Sequence, residues 1–155
     1  MMPANPGRGG RCELRLQIEE YAVVTIWWQQ LALVMCGGAL GAGGRFWLGG
    51  ALLRRLGEGI PWGTLAANLI GSFAIGFLAI WLEGRGPHAL YWRAFLIVGV
   101  LGGLTTYSSL MLDCLLLARS PRSVIALAYL GATLVFGLLL VWLGTRAAHM
   151  LRAPF

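Results

Sequence analysis

Residues 98–113 read VGVLGGLTTYSSLMLD, a hydrophobic segment interrupted in its middle by Gly102, Gly103, Thr105, Thr106, Ser108 and Ser109. A helix in a bilayer must satisfy its backbone groups internally, and two adjacent glycines among four hydroxyls weaken that ladder at mid-depth. Non-helical backbone at that depth is tolerated only against protein or a polar cavity. From these residues alone two readings stay open. One is a broken helix that lines a polar site. The other is a close-packed interface, where small residues let two backbones approach and hydroxyls bond across.

Working outward, 58% of the 155 residues are hydrophobic, seven are Trp and only 12% are charged, which does not suit a surface wetted all round. Beyond the first twenty-odd residues the chain divides into four apolar blocks, each about the ~20 residues a helix needs to cross a bilayer. The fold class expected is therefore all-α: an integral membrane protein of four transmembrane helices. Residues 1–24 read as an unordered N-terminal extension, 25–145 as the membrane domain and 146–155 as a C-terminal tail. The extension lacks the pattern of a cleaved signal peptide, so the first helix is expected to be a permanent span; a misassigned translation start would account for the extension equally well.

The formal charge of +6 comes from twelve Arg and no Lys against six acids. The arginines lie mostly between or beside the apolar blocks, where cations meet lipid headgroups, so a nucleic-acid partner is not expected. Cys12, Cys36 and Cys114 form no CxxC and have no nearby histidine, since His88 and His149 fall in a loop and near the tail. Disulfide and metal-cluster readings get no support from that spacing.

The first span is expected over residues 27–53, with Trp27 and Trp28 as interfacial anchors and Arg54 and Arg55 at its far end. Gly37, Gly38, Gly41, Gly43 and Gly44 crowd its middle, with Gly37 and Gly41 at close-packing spacing. Arg45 falls inside the span, where it must snorkel, pair or line water. The short loop LGEGI leads to Pro61 and Trp62, which open a second span ending at Leu82. On it Thr64 and Asn68 share a face. Asn68 serves either as glue between helices or as a donor of N–H groups to an anion.

The loop EGRGPHALY precedes the third span, residues 92–117, which carries Asp113 four residues after Ser109. An acid there is expected to be paired or to sit at a vestibule. Arg119, Pro121 and Arg122 make a tight turn into a fourth span over 123–143, where Tyr129, Thr133 and Gly137 repeat every four residues. Arg54, Arg55, Arg119 and Arg122 share one side, against Arg85, Arg93, Arg146, Arg152 and the N-terminal arginines on the other. So small a bias directs insertion weakly.

GGALGAGGRF, PWGTLAANLIGSFAIG and GVLGGLTTYSSLMLD occur in that order on the first three spans, and together they resemble the CrcB/Fluc fluoride channel family over roughly residues 30–143. The resemblance implies a fluoride-selective channel in the bacterial inner membrane, working as an antiparallel dual-topology dimer with two pores. It further implies a broken third helix, with a structural sodium ion held in the break by backbone carbonyls of Gly102 and Thr105. Asn68, Tyr107, Ser108, Leu110, Tyr129 and Thr133 would line the fluoride pore, with Arg45, Thr64, Thr106, Ser109 and Asp113 in support.

This chain has TTYSSL where the family commonly has TTFSTF, and Gly137 lacks the hydroxyl often found there. Tyr107 keeps an aromatic edge, but Leu110 has no quadrupole to face an anion. A homodimer with a partly competent pore, or a heterodimer whose partner supplies the ring, would each accommodate the change. Three other classes compete with passive fluoride export. A proton-coupled multidrug transporter needs a carboxylate in the first span, and residues 27–53 have none. A scaffold would use every polar residue as glue. A membrane enzyme lacks its Cys/His pair, paired carboxylates or metal cluster.

Overall fold

The computed structural model describes residues 7–86, 88–119 and 123–152, with side chains from residue 26 onward. In chain order it contains α1 (Gly7–Leu56), α2 (Trp62–Trp81), α3 (His88–Trp92), a π-helical stretch (Arg93–Leu101), α4 (Gly102–Leu104), α5 (Tyr107–Arg119) and α6 (Ser123–Leu151). Among the described residues, four stretches are long and apolar enough to cross a membrane: Ile26–Leu56, Trp62–Trp81, His88–Arg119 and Ser123–Leu151.

Two boundaries differ from those expected by a turn or more. The third span starts at His88, so that histidine opens a helix instead of lying in the preceding loop. The fourth runs to Leu151, about two turns past Leu143, so residues 146–151 of the expected tail are helical. No proline occurs between Gly144 and Leu151, and Ala, Arg, Met and Leu favour helix, so the backbone ladder continues where the apolar pattern ends. The expected extension over 1–24 falls on residues outside those described (1–6) and on residues of α1 whose side chains are not described. The turn at Pro121 and Arg122 also lies outside the described residues.

The bundle is held by backbone approach along two seams. α1 packs on the π-helical stretch and α4, while α2 packs along α6. In the first seam a Cβ on Gly41 would run into the Val100 carbonyl and lie 2.8 Å from Leu104 N, while one on Gly103 would run into the Gly38 carbonyl. In the second, Gly76 abuts the Val141 carbonyl and Gly144 the Phe73 carbonyl. The buried positions of α2 and α6 are accordingly small apart from Tyr129 and Thr133: Ala67, Gly71 and Gly76 on one, Ala126, Gly137, Gly144 and Ala148 on the other. Large apolar side chains point outward instead, Phe46 85% and Trp47 67% exposed. That inversion is what a hydrocarbon solvent permits, since lipid gives no drive to bury leucine but does reward close van der Waals contact.

The loops close in few residues. The α1 backbone ends where Gly57, at φ +75°, donates its N–H to Leu53 O at 3.0 Å, a left-handed terminus that glycine adopts without strain. At the opposite end, Tyr91 Oη donates to Gln29 Oε1 at 3.0 Å and Arg152 pairs with Glu83 at 3.5 Å. These contacts tie the start of the third span to α1 and the end of α6 to the α2–α3 loop.

Candidate functional site

The third span leaves helical geometry at Thr105, whose backbone is extended at φ −82° and ψ 150°, and becomes helical again at Tyr107. α2 supplies what the helix gives up there. Asn68 Oδ1 accepts the Thr106 N–H at 2.8 Å, and Asn68 Nδ2 donates to Thr106 O at 3.2 Å. One carboxamide thus replaces both partners of a peptide group, leaving a single Nδ2 hydrogen uncommitted by these bonds.

The diversion has a second effect. In an uninterrupted α-helix Gly102 O would accept from the Thr106 N–H, and Thr105 O from the Ser109 N–H. Here the first donates to Asn68 and the second to Thr106 Oγ1 at 3.2 Å. Both carbonyls therefore lose their usual helical donors. The Thr106 to Ser109 bond caps the first turn of α5, as a threonine at an N-cap does.

Hydroxyls cluster around that cap. Thr106 Oγ1 lies 3.1 Å from Ser108 Oγ and 3.2 Å from Ser109 Oγ. Arg45 Nη1 reaches Ser109 Oγ at 3.5 Å, a long contact, and Arg45 Nε is buried with no partner among the described residues. Arg45 also lines a cavity of about 250 Å³, together with Pro61, Gly63 and Thr64. One turn along the α2 face from Thr64, Asn68 lines a larger groove of about 440 Å³. Gly102, Thr105, Thr106, Tyr107, Leu110 and Thr133 line the same groove. Tyr107 is 75% exposed and Leu110 only 4%, so the first forms the open side and the second the floor.

The remaining candidates are tied into other contacts. Tyr129, 4% exposed, places its hydroxyl 3.3 Å from Asp113 Oδ2 and 3.5 Å from Pro61 O, so α5, α6 and the start of α2 meet at one phenol. Thr133 faces the groove, but its hydroxyl donates to Tyr129 O at 2.8 Å and offers only its oxygen beyond. Ser108 is exposed on α5 and lines neither cavity. Sequence reasoning missed Pro61 O and, although Gly71 flanks the Thr64–Asn68 stripe, gave no role to that glycine, which packs directly on Thr105 Cγ2. The available signal for Gly71 was its place three residues from Asn68 on the same helix.

A family model described as CrcB-like protein, Camphor Resistance (CrcB), matches residues 32–145. The chain is 60% identical over 121 residues to the fluoride-specific ion channel FluC of Xylella fastidiosa, covering 78% of this chain and 85% of that one. It is 56% identical over 128 residues to that of Xanthomonas euvesicatoria pv. vesicatoria, covering 83% and 96%. With that of Opitutus terrae it shares 45% over 117 residues, covering 74% and 89%.

Proposed function

This chain belongs to the CrcB family, and from that premise we propose that it is a fluoride-specific ion channel that lets fluoride leave the bacterial cytoplasm across the inner membrane. The observation that carries the reading is the 60% identity to a relative named for that activity over 85% of the relative's length. The geometry supports it. HF enters a cell by diffusion, ionises at neutral pH and leaves as an anion down its gradient, so the protein has no bond to make or break. It has to replace water around a small anion. The uncommitted Nδ2 hydrogen of Asn68, the Thr106, Ser108 and Ser109 hydroxyls and the Tyr107 ring edge are donors or electropositive surface of that kind. Arg45, linked to the same cluster through Ser109, supplies positive charge beside the 250 Å³ cavity that acts as the vestibule.

The functional unit is an antiparallel dual-topology dimer, in which a second copy covers the open side of the Tyr107 groove. A homodimer suffices; a heterodimer with a paralogue is the alternative that Leu110 keeps in view. The non-helical residues Thr105 and Thr106 act as the break in the third helix. Gly102 O and Thr105 O, with their helical donors diverted, suit a hard monovalent cation, and these residues would hold a structural sodium ion. Bound there, such an ion would neutralise the carbonyl dipoles at the dimer centre.

Expression in a bacterium stripped of its own fluoride exporter tests the function. Growth in fluoride medium should be restored, and the benefit should grow as external pH falls, because more HF then enters. Unchanged fluoride sensitivity with the protein present in the membrane would refute the reading.

A further inference from the structure

Gly71 of α2 faces the extended residue of the third span. A Cβ at Gly71 would fall on Thr105 Cγ2, with Thr105 Cβ at 3.7 Å and no other atom of a neighbouring element within 4 Å. Gly71 is buried, and the two substituents of Thr105 are committed in different directions. Cγ2 fills the bare surface of Gly71, and Oγ1 donates to Leu101 O at 2.8 Å. Threonine has only staggered choices at χ1, so a turn away from this rotamer takes the hydroxyl off Leu101 as well. Thr105 is also where the backbone turns extended, one residue before the peptide that Asn68 holds.

We infer that Gly71 is a positioning residue for conduction. Its missing side chain is the slot for the Thr105 methyl, and the filled slot fixes the rotamer and backbone that set the wall of the groove at Gly102, Thr105 and Thr106. The inference rests on the channel reading above.

The test compares the native protein, Gly71→Ala, Thr105→Ser and the double variant in liposomes at matched amounts of folded protein. Serine keeps the hydroxyl and drops Cγ2, so the added Cβ at 71 then meets only the Cβ of residue 105, at 3.7 Å, an ordinary contact. Overpacking a filled slot predicts that Gly71→Ala lowers initial fluoride efflux about tenfold or more, with the double variant returning to within about threefold of Thr105→Ser. A double variant as slow as Gly71→Ala overturns the inference, because general loosening of α2 is not relieved by removing one methyl. Native flux in Gly71→Ala overturns it too. Should Gly71→Ala fail to accumulate, the double variant must both accumulate and conduct near the Thr105→Ser rate, and failure of either overturns it. Absence of fluoride flux in the native protein would refute the channel reading instead. The pair is then read by thermal unfolding, where the same rescue is expected and its absence is fatal.

Discussion

Asn68 carries the two bonds that a helix would have given Thr106, which gives it a structural part beside the anion-path role proposed above. Asn68→Leu would strand a half-buried N–H and C=O, each costing about 1–3 kcal/mol. Denaturation should show that loss, and fluoride efflux should fall in parallel. Asn68→Asp keeps the acceptor for the Thr106 N–H, so its stability loss should be smaller, but it removes the Nδ2 donor and adds negative charge. Efflux should therefore fall as far as in the leucine variant; native efflux in Asn68→Asp would remove Asn68 from the anion path. Tyr107 and Leu110 give a second residue-scale prediction, since both line one groove. An aromatic edge should be worth no more than about 1 kcal/mol to an anion, or several-fold in occupancy. Leu110→Phe should raise fluoride flux and Tyr107→Leu should lower it. If neither changes flux, the anion does not pass these side chains. That Asn68 was polar within a span could be read directly from the chain. Its partners could not, because they depend on the rotation of α2 against a third span whose backbone departs from helix.

Elements meet here through glycine, and the two seams make different demands on individual glycines. Gly41 has the Val100 carbonyl where a Cβ would go, whereas nothing lies within 4 Å of that position at Gly44. Backbone cannot swing aside as a side chain can, so Gly41→Ala should cost about 1–3 kcal/mol or more and sharply reduce the folded yield. Gly44→Ala should leave the protomer's unfolding unchanged. Equal effects of the two, measured by thermal unfolding in detergent, would show that the α1 seam is looser than described. The four spans were legible because each apolar block reaches bilayer length between arginines or loop glycines. The end of α6 was not, because Arg146 closes the apolar pattern while the helix-forming residues that follow keep the backbone ladder going. The π-helical stretch from Arg93 to Leu101 escaped for a related reason. Its pattern is as apolar as any buried helix, and the wider coil carries no residue signature.

At the scale of the whole molecule, Arg54, Arg55 and Arg119 at one end are offset by Arg85, Arg93, Arg146 and Arg152 at the other, with Arg152 partly engaged by Glu83. So even a distribution predicts insertion in both orientations. In a protein whose three native cysteines have been replaced, Glu58→Cys in the α1–α2 loop should be labelled by an impermeant thiol reagent in about half of the molecules. Complete labelling or none would reject dual topology. The central claim, that the chain conducts fluoride selectively, is tested most directly with the purified protein in liposomes loaded with potassium fluoride and potassium chloride. A potassium ionophore sets the driving potential, and ion-selective electrodes read both anions. Prompt loss of fluoride with chloride retained is expected; retention of fluoride, or equal loss of both anions, would contradict selective conduction.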